Sequence, residues 1–518
     1  MQSAFNIEED IFENEFEDSS SYSSGASFSS EDEATACTDE FSTEEWTELT
    51  KLKRQDTIPL MDPQPGQPQP DQITPLSLFR IFFDEEVLEE ITNNSNDYAK
   101  SIFEANPIPS RRMGDMTPLT PRELENWLGI AIMMGLIKAP KQTDYWSTIP
   151  LYHNKLISGI MPSRRFQAIS RMMHLSPLQY YGSNKLSKIE PILSMIRERC
   201  KANYCLGKYI SIDESMIQFK GRHQAIQYMP AKPIKWGFKV FALCDSVSGY
   251  MWNFYIFSGK SQDDVHSTMR VVLRLIESLQ GSFHKHYLFF DRWYSSIELF
   301  NSLSNLGLAA TGTVNPNRKG LPKASISKKT RNQFFLRGDL LFCAWYDHRP
   351  IYLLSNIEGI QFNSVKRTAK EGTEKNVEKP VIVSKYTFGM GGVDYYDQLI
   401  QAYSTHRKSV KWWKSCFHYL IEIAVTNSFI IYKHYSTKGI VEAMSHEKFT
   451  RLLAEQLTKD VSQEENEQLA EKMNKVSRCR YCVEHQTLQS KKCSKTRHCC
   501  HECKKPIHLK CMKLHECK

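Results

Sequence analysis

Apolar positions recur every three or four residues over 76–91 (LSLFRIFFDEEVLEEI), the spacing of an amphipathic helix. A second helix is expected from Thr120, with Thr120 as N-cap, Pro121 in the first position and Glu123 completing a capping box before LENWLGIAIMMGLI. Residues 75–205 therefore read as mainly helical. At Tyr209 the pattern turns β-like, and strands are expected over 209–219, 236–244 and 250–257, the last two joined by the hairpin signal DSVSG from Asp245 to Gly249. A helix over 262–279 follows, with Asp263 and Asp264 suited to its N-terminal dipole, and then a buried strand, YLFF, over 287–290. Ser295 and Glu298 place a capping box on a helix over 295–306 that ends at Gly307, before a strand over 309–314. Three antiparallel strands, helix, strand, helix, strand is the order of an RNase H-like core, an α/β fold with a mixed sheet flanked by helices.

That core occupies 206–315, after a helical part over 73–205. A basic and partly irregular stretch over 316–385 reads as an inserted subdomain. Residues 386–400 return to the core, helices fill 401–470, and a Cys/His-rich module closes the chain over 477–518. Residues 1–72 are expected to stay unfolded: first an acidic, Ser-rich stretch, then the Pro/Gln linker MDPQPGQPQP.

Charge sharpens this division. Residues 1–50 carry fifteen Asp or Glu and no Lys or Arg, so a net charge of +7 over 518 residues leaves +22 on the remainder. A body this basic points to a polyanionic partner, most simply nucleic acid. The acidic segment either mimics DNA and competes for that surface, is a phosphorylation target, or is a spacer. Its acidity argues against a secretory signal, and the longest apolar runs, 128–137 and 421–431, are too short or interrupted to span a membrane. Eight of fourteen cysteines fall in the last forty residues, which favours a metal site over a disulfide framework.

Three aspartates fall where an RNase H-like core gathers its acids. Asp213 lies within the first strand, with Glu214 on the opposite face by period-2 alternation. Asp291 follows the buried YLFF strand at its carboxyl end, where active sites of open α/β sheets collect. Asp394 opens a late helix in GGVDYYD and shares one face with Asp397 by i, i+3 spacing. Carboxylates on a rigid frame suit two hard divalent ions, Mg²⁺ or Mn²⁺, of the kind that cut phosphodiesters.

Two basic stretches could meet DNA. KGRHQAIQYMPAKPIKWGFK carries Lys220, Arg222, Lys232, Lys235 and Lys239, and THRKSVKWWK carries Arg407, Lys408, Lys411, Trp412, Trp413 and Lys414. The cations would neutralise phosphate and an indole would pack on sugar or a flipped base; alternatively the tryptophans are core and only the cations face out. In the tail, Cys479, Cys482, Cys500, Cys503, His508, Cys511, His515 and Cys517 make four ligand pairs, enough for two Zn²⁺ ions. A cross-brace would put Cys479, Cys482, His508 and Cys511 on one ion and the other four on the second, with Cys493 and Cys499 spare. From Glu471 the tail carries thirteen Lys or Arg against four Asp or Glu, which favours DNA as its partner.

The stretches SIDESMIQFKGRHQAIQYMPAKPIKWGFKVF, FFDRWYSS and GGVDYYDQLIQAY with the later RKSVKWW closely resemble the piggyBac family of transposases and the cellular proteins derived from them, from Pro75 to the C-terminus. The resemblance implies that Asp213, Asp291 and Asp394 are the catalytic triad, with Asp397 a supporting acid. It also implies homodimerisation and DNA binding through the two helical parts, a nuclear location, and double-stranded DNA as partner. The implied reaction is excision and reinsertion at TTAA sites through a hairpin on the transposon end. One departure stands out: the family's second motif often reads Asp-Asn-Phe/Tyr-Tyr-Thr-Ser, and here Arg292 follows Asp291. Arg292 either contacts phosphate or weakens metal binding. Two other readings stay open, a DNA-binding protein that no longer cuts and a chromatin reader acting through the zinc module.

Overall fold

In this computed structural model residues 45–66, 70–105, 117–180, 185–230, 232–259, 268–368, 374–459, 470–478, 495–500 and 505–507 are described. Two short strands, β1 (Thr47–Glu48) and β2 (Gln64–Pro65), precede six helices: α1 (Pro75–Phe79), α2 (Glu85–Ala105), α3 (Pro121–Leu136), α4 (Lys155–Ile160), α5 (Ser163–Met172) and α6 (Glu190–Ala202). Next come β3 (Tyr204–Cys205), β4 (Tyr209–Gln218), β5 (Ile226–Tyr228), β6 (Trp236–Asp245), β7 (Met251–Ile256), α7 (Thr268–Ile276), β8 (Tyr287–Phe290), α8 (Ile297–Asn305) and β9 (Ala309–Thr313). The third part holds β10 (Asn332–Arg337), β11 (Leu340–Tyr346), β12 (Pro350–Ser355), β13 (Phe362–Thr368), β14 (Glu374–Pro380) and α9 (Val381–Gly389). The chain then forms α10 (Gly392–Ala402), α11 (Trp412–Thr437), α12 (His446–Thr458), β15 (Ala470–Arg478) and β16 (Lys495–Cys500).

The main sheet is mixed and flanked by helices, in the order β1-β10-β11-β12-β9-β8-β4-β6-β5, with β7 also on β6. β4 runs antiparallel to β6 and parallel to β8, and β8 runs parallel to β9. All four residues of β8 are fully buried, as befits a parallel strand covered on both faces. The hairpin from Asp245 to Gly249 forms: the Asp245 carboxylate accepts from the backbone of Val247 and Ser248, and Gly249 takes a φ of 75°. The edge strand β7 is finished by a side chain, since Asn427 of α11 accepts from Met251 N and donates to Met251 O. Among the described residues no helix is long and apolar enough to cross a membrane.

Four expectations change in detail. Ser296, one residue later than expected, caps α8 by accepting from Leu299 N, because Ser295 is fully buried. Thr120 caps α3, but Glu123 turns to Arg165 (2.6 Å) instead of closing a capping box. The stretch 316–385, expected as an inserted subdomain, supplies β10, β11 and β12 to the main sheet through β9, and β13 and β14 pair separately. Finally, residues 46–66 of the expected unfolded stretch 1–72 form a packed strap. β1 pairs with β10, β2 with β3, and Ile58 is buried. Asp56 anchors the strap, receiving Lys208 Nζ at 2.9 Å and Lys385 Nζ at 3.1 Å. The reason is local: a few backbone pairings and one buried ion pair suffice where composition alone reads as linker.

α10 is seated by an absence. A Cβ on Gly392 would lie 2.5 Å from Ser211 Oγ and 3.0 Å from the Asp245 carbonyl, so only glycine lets this helix start rest on β4 and β6. Gly392→Ala is expected to cost about 1–3 kcal/mol by overpacking, read as a lower midpoint of urea unfolding. The strap yields a second expectation. Asp56→Ala leaves Lys208, whose side chain is 7% exposed, without its carboxylate, at a cost of about 3 kcal/mol. Burial raises the Asp56 pKa, but Lys208 and Lys385 outweigh it and hold the carboxyl below its ordinary 3.8. A depressed acid stabilises the fold above its ordinary range and stops doing so as protons bind. Strap proteolysis in the native protein should therefore stay slow at neutral pH and accelerate only below about pH 4.

Candidate active site

Four aspartates come to one end of the β4–β8 pair. The register pairs Ile212 with Phe290, so Asp213 and Asp291 are the next residues of two neighbouring parallel strands. Asp394 and Asp397 sit on α10, which Gly392 holds against β4. Tyr386 of α9 feels the negative charge of Asp291, Asp213 and Asp394 together, although burial is the larger cause of its raised pKa.

Three of the four acids are oriented by neutral donors. Asp291 Oδ1 accepts from Arg292 N at 2.5 Å and from Thr313 Oγ1 at 2.8 Å, and Thr313 is 3.2 Å from the Tyr386 hydroxyl. Asp397 Oδ1 accepts from Ser215 Oγ at 2.5 Å, and Ser215 in turn accepts from Tyr419 at 3.3 Å. Asp213 Oδ1 accepts from Glu214 N at 2.8 Å. Burial pushes the Asp397 pKa up to about 6, with the charge of Asp394 adding to it and Ser215 and Lys232 opposing. Burial likewise raises Asp213, against Lys232 and with the charge of Glu214.

The nearby cations are committed elsewhere. Glu214 is buried and takes Lys239 Nζ at 3.0 Å, and its carbonyl takes Lys232 Nζ at 2.7 Å. Among the described residues none of Asp213, Asp291, Asp394 and Asp397 forms an ion pair with Lys or Arg. The oxygen donors are of the kind hard divalent ions take. As placed, however, among the described residues no group of three or more His, Cys, Asp or Glu is close enough to hold a metal ion. The contacts to Thr313 and Ser215 face Asp291 and Asp397 toward their own supports.

The basic stretches divide. Lys220, Arg222 and Lys235 are exposed, as is Lys408 in the loop between α10 and α11. Arg407 turns inward, donating to Ala139 O at 2.8 Å and Met134 O at 3.2 Å, so it caps the end of α3. Trp413 is buried and Trp412 is half-buried against His223 (4.7 Å) and Phe238 (5.9 Å); Lys411 and Lys414 are half-buried beside them. Of the expected zinc ligands, Cys479, Cys482, Cys503, His508, Cys511, His515 and Cys517 lie outside the described residues, and only the backbone of Cys500 is placed, in β16. Sequence reading missed Thr313 and Tyr386, whose roles depend on three elements meeting. It also missed the exposed cross-strand pair Tyr228–Trp236, 4.7 Å apart beside Lys235, which alternation of aromatic and basic residues could have flagged.

Comparison with known proteins agrees with this fold. A family model described as Transposase IS4 matches residues 74–429. The human PiggyBac transposable element-derived protein 3 is 30% identical over 382 residues, covering 71% of this chain and 62% of that protein. The human PiggyBac transposable element-derived protein 2 is 28% identical over 392 residues, covering 72% and 64%. The chain thus spans less than two thirds of the length of either relative. Among solved structures, the cryo-EM structure of the piggyBac transposase synaptic complex with hairpin DNA superposes with a TM-score of 0.66 at 26% identity, covering 77% of this chain and 82% of that one. A matching family model over most of the chain and an agreeing fold give one conclusion: the chain belongs to the piggyBac family of transposases.

Proposed function

We propose that this chain is a DNA transposase of the cut-and-paste type, acting on double-stranded DNA at TTAA sites as a nuclear homodimer. The observation that carries this reading is a set of four gathered aspartates with no Lys or Arg ion pair among the described residues, while Lys239 pairs with the Glu214 carboxylate and Lys232 donates to the Glu214 carbonyl. Such a set is reserved for a cation that the protein does not itself supply. The sheet around it reads as an RNase H-like core. Asp213, Asp291 and Asp394 would hold two Mg²⁺ or Mn²⁺ ions, with Asp397 in support; when bound, these ions activate water and stabilise the leaving oxygen. Thr313 and Ser215 orient the acids, and Lys220, Arg222, Lys235 and Lys408 meet phosphate. The solved relative was captured with hairpin DNA, which supports DNA as the substrate class. The Cys/His tail, by its spacing and charge, would hold two Zn²⁺ ions and contact DNA.

A second reading has its own observation. The aspartates do not close into a metal-binding group among the described residues, which suits a domesticated protein that grips DNA without cutting.

Cutting is tested by Mn²⁺-dependent nicking of a TTAA-containing duplex and by excision of a TTAA-flanked reporter in cells. Wild type is expected to do both and Asp291→Ala neither, a loss of at least a hundredfold; binding without nicking by wild type selects the second reading. The surface assignment has a separate check. Lys235→Ala should lower the slope of log K against log salt by about 1, whereas Arg407→Ala should lower the unfolding midpoint and leave that slope unchanged.

A further inference from the structure

Trp293 lies two residues beyond Asp291 and is 40% exposed, yet its ring is braced on every other side. Phe241 stacks on it with centroids 5.7 Å apart and planes at 14°. Lys239 Nζ lies 3.9 Å from the ring centre and is itself held by Glu214. Phe241 and Lys239 occupy alternate positions of β6, so they rise from one face of the sheet toward the indole. Tyr294 meets the ring edge at 89°, and Arg318 donates to the carbonyls of Arg292 and Trp293. The indole is therefore partly exposed and yet has little freedom left to lose.

A partly exposed aromatic ring, fixed in advance and set beside acids and cations, is suited to stacking with a base. Its neighbours select the ligand further. Arg292 is exposed next to it, so a phosphate can be met one residue from the ring while the base lies on the indole. A base paired within a continuous duplex has both faces covered and cannot use such a surface.

We propose that Trp293 is a stacking platform for one unpaired nucleobase next to the phosphate presented to the aspartates, so that the site prefers DNA opened at that point over continuous duplex. This rests on the DNA reading of the preceding subsection. It makes Trp293 a residue of substrate discrimination, distinct from Trp412, which is half-buried against His223 and Phe238.

The test is equilibrium binding of the full chain, without Mg²⁺ or Mn²⁺, to three TTAA-containing duplexes: continuous, with one unpaired adenine, and with an abasic site in that place. Wild type is expected to bind the unpaired-base duplex about tenfold more tightly than the abasic one, given the usual worth of base–aromatic stacking. Trp293→Ala should erase that difference and leave the continuous duplex within twofold, and Trp293→Phe should keep most of it. A preference that survives Trp293→Ala overturns the platform, as does an equal loss on all three duplexes, which would make the indole a lid over Lys239. Wild type binding all three equally also overturns the platform alone, whereas wild type binding none overturns the DNA reading beneath it. Should the alanine variant fail to fold, 2-aminopurine at the unpaired position reports directly: quenching by wild type that is lost in Trp293→Leu supports stacking, and no quenching by wild type overturns it.

Discussion

A parallel pairing only four residues long, Tyr209 to Ile212 against Tyr287 to Phe290, is the constraint on which the rest depends. Beyond the last pair β8 ends while β4 runs on beside β6, and because the two strands point the same way their next residues lie side by side. Those residues are Asp213 and Asp291. A shift of register by one would turn either acid to the opposite face of the sheet. The pairing resists such a shift because Ile210, Ile212 and all of β8 are fully buried, and slipping would expose the aromatic run to solvent. α10 then docks on β4 and its antiparallel neighbour β6 and adds its own acids.

Polar support around the acids follows a consistent division of labour. Hydroxyls of Thr313, Ser215, Tyr386 and Tyr419 hold the aspartates, while the ammonium groups go to Glu214. Neutral donors orient a carboxylate without cancelling its charge, whereas a lysine at the same distance would satisfy it. Lys232 sits on the Glu214 carbonyl, where its charge still favours the ionised forms of Asp213 and Asp397, and Lys239 pairs with the Glu214 carboxylate. The same lysine braces Trp293, so one side chain couples the acid strand to the aromatic surface beside it.

Much of this core was legible because its signals are strong and local. YLFF is too short for a helix and too apolar for a loop, and the strand from Tyr209 was placed to within a residue at its end. Asp213, Asp291 and Asp394 were singled out from their positions on those elements and from the motif wording; Asp213 and Asp291 lie just past the β4–β8 pairing, and Asp394 sits on α10 beside β4. What escaped was whatever depends on distant partners. NQFFLR, LLFCAWY and PIYLLS are strand-like, but their neighbours are the charged segments of β13 and β14, and only pairing with β9 shows that they extend the main sheet. Arg407 reads as a DNA contact in a basic run until the carbonyls at the end of α3 claim it. The strap is the sharpest case: Asp56 and Ile58 are single anchors in a Pro-rich context, and no periodicity announces them.

That strap has a consequence for the order of assembly during synthesis. Asp56 must wait for Lys208, 152 residues later, and for Lys385, 329 residues later. At translation rates of about 5–20 residues per second, Lys385 is made roughly 15–65 s after Asp56. The strap is therefore among the last parts to settle, and through that interval the edge of β10 that β1 finally covers is also still unmade or unpaired. A nascent chain of this kind leaves the ribosome with its closing clasp already synthesised and idle, which makes the release of the finished C-terminal half, rather than the start of the chain, the event that locks the body shut.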